Sequence, residues 1–315
     1  MTDNQIIGNI EETGNTSTTP IATTPSLFLQ MLKVFAQNKL AVISLVVLVL
    51  ITLFSFLGPL VYHTNQSNSS AYLGQICDQA PSSAHILGTD STCFDMLGRL
   101  MVGGQNSLEV GFFAALFAMT FGVAYGLISG YLGGWIDSLL MRILDVLLSV
   151  PGLFILIALI TLFGRSKVLL IVVLGLTGWY GIARLLRAEA ISLREREYAQ
   201  AVKAMGGRPR RVMYKHILPN AISSIVTNGT FAIGDSILGL ASLGFLGLGL
   251  TFPATDWGTI LNTSQNSLLL GYWWEVFPVA IMFLLVVVSF NYIGDALRDA
   301  FEVRLRERGL LRTAS

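Results

Sequence analysis

The apolar positions of this chain fall into long uncharged runs separated by short polar stretches. Leu40 to Val61 carries no charge over 22 residues, and Val110 to Ile136 none over 27. About 20 apolar residues in a helix cross a hydrocarbon core of roughly 30 Å, so each of these runs predicts a membrane span. Four more follow: about Leu139 to Phe163, about Val168 to Leu186, Pro219 to about Leu240, and Val276 to about Gly294. The pattern therefore predicts an all-α integral membrane protein with six transmembrane helices. Arg184, Arg187 and Asp235 interrupt the fourth and fifth.

Composition agrees. Of 315 residues, 53% are hydrophobic and 12% charged, with a mean hydropathy of +0.66; a soluble domain carries about 25% charged residues. The net charge of +1 matters less than its distribution. Basic residues flank apolar spans instead of gathering on one exposed face, which argues against a nucleic-acid partner. Residues 1–27 show no signal-peptide core and are expected to form a disordered cytoplasmic tail. With the N-terminus inside, the outer loops hold only Arg99, Arg165 and Lys167, and the other seventeen Lys and Arg lie on the cytoplasmic side. The positive-inside rule thus selects an N-in, C-in topology; the membrane expected is the cell (inner) membrane.

That topology places Tyr62 to Gln105 outside, and with it Cys77 and Cys93. Two cysteines in one extracytoplasmic loop suit a disulfide, with two free thiols as the alternative. His63 and His85 stand apart, so no metal-ligand spacing arises. Triplets such as Asn65-Gln-Ser67 read as chance occurrences in a polar loop.

Gly122, Gly126, Gly130 and Gly134 recur every four residues, a small-xxx-small ridge for close helix packing within the protein or with a partner subunit, with ligand contact as the alternative. Gly244, Gly247 and Gly249 read as a flexible outer turn, and the chain lacks the glycine-rich loop with Lys-Ser/Thr that cradles nucleotide phosphates. No nucleophile, base and acid converge, so no catalytic residue is assigned. Arg142 and Asp145, three apart, are expected to pair on one helix face. Asp235 falls near mid-membrane, where a carboxylate is costly. It either lines a pathway or makes a structural hydrogen bond to a neighbouring helix.

One segment breaks the pattern. "YAQAVKAMGGRPRRVMYKHILPN", residues 198–220, holds five of the twenty basic residues. Glu195 to Met205 is rich in helix formers, Gly206 can end that helix in the left-handed region, and Pro209 suits the first turn of a second. Arg208, Arg211 and Lys215 then share one face, Met213 and Ile217 another. Pro219 lets the next helix start afresh. A cytosolic helix–turn–helix results, fit either to lie on lipid or to dock another protein.

This segment resembles the cytoplasmic coupling loop of ATP-binding-cassette importer permeases: Glu-Ala-Ala, three residues, Gly, nine residues, Ile-x-Leu-Pro. The chain supplies Gln200-Ala201-Val202, Gly206 and His216-Ile217-Leu218-Pro219 at that spacing. Gln200, Val202 and His216 depart from the pattern. The stretches "LGTD" (87–90), "SGYLGGWID" (129–137), "MRILDVLLSVPGL" (141–153), "SLREREYAQA" (192–201), "SLGFLGLG" (242–249) and "NYIGDALRDAFEVRLR" (291–306) are similar to the dipeptide/oligopeptide/nickel subfamily, in the order of its second, C-type permease subunit. The resemblance covers about residues 30–308. Glu302-Val303 departs from the Asp-Pro of many relatives, and Leu240 stands near a position where many carry glutamate.

The resemblance implies a type I importer permease fold. It divides the chain into a tail (1–27), a first transmembrane helix with an extracytoplasmic loop (28–106), a permease core (107–308) with the coupling loop 195–218, and a C-terminal tail (309–315). It implies a subunit that moves di- or oligopeptides into the cytoplasm, paired with a homologous permease, two ATP-binding-cassette ATPases and an extracytoplasmic peptide-binding protein. No cofactor is implied in this chain; ATP and magnesium belong to the ATPases. A nickel-chelate or glutathione permease is the alternative within the class. A stand-alone channel or ion-coupled carrier is the alternative outside it, and the protruding loop argues against that.

Overall fold

The computed structural model describes residues 27–63, 77–206 and 208–313, and among them it is helical apart from turns, loops and one isolated bridge. Helix α1 (Leu27–Gln37) meets α2 (Lys39–Val61) at Asn38, whose side chain caps α2 by accepting from the Ala41 amide at 3.3 Å. The expected tail 1–27 lies, except for Leu27, outside the described residues, as does Asn65-Gln-Ser67.

Helix α3 (Met96–Leu132) is 37 residues long and starts at Asp95, which accepts from the Gly98 amide at 2.9 Å. It ends at Gly133, where φ is +66° and the chain turns into α4 (Gly134–Leu148). Ser149 to Pro151 then separate α4 from α5 (Gly152–Phe163), and the two helices are bent by 78°. The third apolar run, read from sequence as one crossing, is thus two helices set at a sharp angle. Proline removes a helical donor and clashes with the preceding turn, so the chain bends where Pro151 stands.

Helix α6 (Lys167–Arg194), capped by Ser166, runs beside α3 in the same direction. The glycine ridge explains how close they come. A Cβ at Gly122 would sit 2.9 Å from Ile182, one at Gly126 2.9 Å from the Arg187 amide, and one at Gly130 2.8 Å from Ala190. In lipid, helices gain little by hiding apolar surface from one another, so close backbone approach and van der Waals contact must hold them together. Gly134 is not part of this ridge: its Cβ would meet nothing, and its φ of +56° serves the turn into α4.

Beyond α6 come α7 (Glu197–Ala204), α8 (Pro209–Val212), a π-turn (Met213–Ile217) and α9 (Leu218–Asn220). Helix α10 (Ile222–Phe245) crosses back antiparallel to α3, with Gly111 against Ile237. Short helices α11 (Trp257–Thr263) and α12 (Gln265–Leu269) lead through a 3₁₀ turn (Trp273–Glu275) to α13 (Phe277–Thr313). The expected C-terminal tail from 309 continues α13 as far as Thr313.

Among the described residues four helices are long and apolar enough to cross a membrane, or five if the bent α4–α5 pair is one span. The expected fifth crossing, α10, has 24 residues but falls short in apolarity. Three clusters of buried residues hold the bundle. One lies between α3, α6 and the 195–218 segment, a second between α2, α3, α11 and α13, and a third between α3, α5, α6 and α10.

The turn 244–256, expected to be flexible, is held by hydrogen bonds to one carboxylate. Asp256, fully buried, accepts from the Leu250 amide (3.0 Å), the Thr259 amide (2.9 Å) and Thr259 Oγ1 (2.7 Å). Burial pushes its carboxyl up, while the donors from Thr259, Leu250 and Gly258 pull the other way. Gly244 and Gly249 leave room for this carboxylate, since a Cβ at either would run into it.

Candidate functional site

Most of the sequence-predicted site residues fall in two regions, the 195–218 segment and a groove beside α10.

The segment is built from the end of α6. Arg194 donates from Nη1 to the Tyr131 carbonyl at 3.2 Å, fixing where α6 leaves the bundle. Gln200 donates from Nε2 to the Arg194 carbonyl, also at 3.2 Å, and so satisfies a carbonyl at the α6 C-terminus. A glutamate could not donate there, which gives the Gln200 departure a structural role. Ala201 is exposed one residue on. Gly206 follows with φ +80° and open space around it, so the left-handed backbone alone calls for glycine.

The return arm packs inward through Val212 (1% exposed) and Ile217 (0%), with Ala199 (3%) meeting it from α7. His216 is half-buried, its ring 6.3 Å from that of Tyr198, and it ties the return arm to α7. Leu218 is half-buried against the same cluster. Pro219 lacks an amide to bond the Lys215 carbonyl, and its ring crowds that carbonyl. The helix widens just before it: the Leu218 amide bonds the Met213 carbonyl in the π pattern. Helix α10 restarts at Ile222.

Arg208, Arg211 and Lys215 are exposed, as the face pattern predicts. Two apolar neighbours escape that pattern. Met205 is 79% exposed and Tyr214 57%, one on each side of the Gly206 turn. Helical periodicity could not identify them, because it marks buried stripes and neither residue belongs to one.

Ion pairs brace the base of this region. Asp137 in the first turn of α4 takes two bonds from Arg187 of α6, at 2.5 and 2.6 Å, and one from Ser129 of α3 at 2.5 Å. Asp145 bonds Arg184 at 2.8 Å. The pair expected between Arg142 and Asp145 is therefore replaced by one between helices. Arg184 and Arg187 sit on α6 within reach of both acids, and each pairing also answers an arginine that would otherwise interrupt a span.

Asp235 lies thirteen residues into α10, roughly 20 Å along its axis and remote from the Gly206 turn. It lines a groove of about 380 Å³ between α5, α6 and α10, together with Thr177, Gly178, Gly181, Asn228 and Gly239. Among the described residues it forms no hydrogen bond or ion pair. A structural bond to a neighbouring helix has no counterpart among the described residues.

At the opposite end from Gly206, Cys77 and Cys93 lie side by side with Cα atoms 4.2 Å apart. His85 bonds Asp95 at 2.9 Å, and Tyr62 donates to the same carboxylate at 3.0 Å. Burial, then the charge of Asp95, push the Tyr62 phenol up. Among the described residues no group of acids, histidines and cysteines is arranged to hold a metal ion.

Comparison with known proteins places this architecture. Residues 122–307 match the family of the binding-protein-dependent transport system inner membrane component, and residues 26–81 that of the N-terminal transmembrane domain of oligopeptide transport permease C. The chain is 40% identical to the oligopeptide transport system permease protein OppC of Escherichia coli K12, covering 86% of this chain and 89% of that one. It is 37% identical to the dipeptide transport system permease protein DppC of Alkalihalophilus pseudofirmus, over 87% and 89%. It is 34% identical to the glutathione transport system permease protein GsiD of Pectobacterium atrosepticum, over 73% and 76%. Among solved structures, an inward-facing form of the MetNI methionine ABC transporter superposes with a TM-score of 0.54 at 20% identity, covering 65% of this chain and 97% of that one, a likeness of fold. Matched over most of its length and built with several apolar helices, this multi-pass inner-membrane chain belongs to the family of inner membrane components of binding-protein-dependent transport systems.

Proposed function

We propose that the chain is one of two permease subunits of an ATP-driven importer that carries di- or oligopeptides into the cytoplasm. Its relatives are named for oligopeptide and dipeptide transport at 34–40% identity, which supports the substrate class. In this reading the chain crosses the membrane six times, counting α10 and taking α4–α5 as one broken crossing. Both termini are inside, which the seventeen-to-three division of basic residues supports. The division of the chain into tail, first helix with outer loop, permease core and C-terminal tail is retained on the same basis.

The observation that carries the mechanism is the built turn at Gly206. Its arms are anchored in the bundle by Ala199, Val212 and Ile217, yet it leaves Met205 and Tyr214 uncovered. An apolar pair standing on a fixed frame suits a protein partner better than water. Residues 195–218, with Gln200, Ala201, Gly206, His216, Leu218 and Pro219, thus form the docking element for an ATPase. ATP and magnesium bind there and not to this chain. A homologous permease completes the path, Asp235 lines it, and an extracytoplasmic binding protein delivers substrate. Cys77 and Cys93 form a disulfide that braces the receiving surface.

The test is reconstitution of the full complex in vesicles with its binding protein. ATP-dependent uptake of labelled di- and oligopeptides is expected. Uptake of glutathione or a nickel chelate in preference to peptides would move the substrate reading to those ligands, and uptake without the ATPases would overturn the importer reading.

A further inference from the structure

The groove beside Asp235 has a feature that packing does not explain. At Gly181 of α6 and Gly152 of α5 an added Cβ would meet nothing within 4 Å, and neither residue has a positive φ. Inside a helix such as α6, glycine is less favourable than alanine by about 1 kcal/mol. Neither backbone strain nor contact within the chain calls for it here. The two glycines add no side chain to a groove that Leu153, Leu156, Leu174, Ile182 and Phe231 otherwise line, and so leave open the part they border.

The polar groups lie on one stripe. Asn228, Ala232, Asp235 and Gly239 share a face of α10, and Thr177, Gly178 and Gly181 face them from α6. Asn228 donates its amide to the Ser224 carbonyl at 2.8 Å, which leaves its side-chain oxygen as an acceptor. Thr177 donates back to the Val173 carbonyl at 3.2 Å. The groove therefore offers mainly acceptors beside the second Asn228 N–H, with one exposed carboxylate that has no partner among the described residues.

Peptides that differ in every side chain share a backbone and an α-ammonium group. A carboxylate with no partner among the described residues, set in a groove that is otherwise mostly apolar and open at its glycines, can bind the ammonium without reading the side chains beyond it. We propose that Asp235 is the α-ammonium-binding residue of the translocation path, with the glycine-lined wall giving room for any first side chain. This rests on the peptide-path reading above.

The test uses the complete transporter in vesicles, with the binding protein saturated by each of two probes: a tripeptide with a free amine and its N-acetylated form. Asp235→Asn is expected to lower free-amine uptake about tenfold and leave N-acetylated uptake within twofold, whereas Asp235→Glu keeps the original ratio. Gly181→Leu is expected to lower uptake of both, because it fills the wall. If Asp235→Asn lowers both probes equally, amine recognition is overturned and the path reading stands. If it lowers neither, both fail. If Asp235→Asn no longer assembles with the partner permease, the carboxylate is a subunit contact and the proposal is overturned.

Discussion

Asp137 and Arg187, fifty residues apart, meet in a two-pronged ion pair, with Nε and Nη2 donating to separate carboxylate oxygens at 2.5 and 2.6 Å. The pair joins the start of α4 to α6 just where α6 approaches the 195–218 segment. It is partly buried, at 30% side-chain exposure for Arg187 and 15% for Asp137, so each charge leans on the other more than a surface pair would.

Asp137→Asn should therefore destabilise the subunit by about 2 kcal/mol, since it breaks charge-assisted bonds and leaves Arg187 poorly answered. Thermal melting of the purified complex should show a fall of several degrees. The double variant Asp137→Asn with Arg187→Gln should lose less than the two single losses combined. Strict additivity would show that the two side chains do not interact energetically.

The α3–α6 seam predicts a steric effect. A Cβ at Gly126 would press on the Ala183 carbonyl and stand 2.9 Å from Leu186 Cβ, and backbone cannot move aside as a flexible side chain can. Gly126→Ala should lower stability by about 1–3 kcal/mol, the usual range for overpacking. Melting unchanged within a degree would mean the helices sit farther apart than described.

Cys77 and Cys93, 16 residues apart, should be bridged in the native protein. A bridge over that span is worth about 3 kcal/mol, because it restricts the unfolded chain. Mass spectrometry of non-reduced, alkylated protein is the check: two alkylated thiols would rule the bridge out.

Gly206→Val should uncouple the transporter. A residue with a Cβ pays about 1–2 kcal/mol in the left-handed region, and with open space around Gly206 that backbone cost is the whole effect. Insertion and binding-protein docking should persist while substrate-stimulated ATP hydrolysis falls sharply. A segment that merely lay on lipid would respond instead to neutralising Arg208, Arg211 and Lys215 together. Normal stimulation in Gly206→Val with loss in the charge triple would overturn the docking reading.

The sequence by itself determined the helical class, the first crossing, the left-handed turn at Gly206 and the helix start at Pro209. These follow from run length and from backbone rules that act within a few residues. Only the tertiary structure decided which charges meet. Arg142 was the near neighbour of Asp145 along the helix, but Arg184 approached it across the bundle. Pro151 marked where α4 and α5 could part, but the 78° angle between them was hidden, because both halves are apolar and hydropathy does not register direction. Met205 and Tyr214 stayed unmarked for a related reason: whether an apolar side chain is covered depends on helices distant in sequence. Local composition sets which segments fold as helices; long-range packing sets the surfaces and pairings that remain for function.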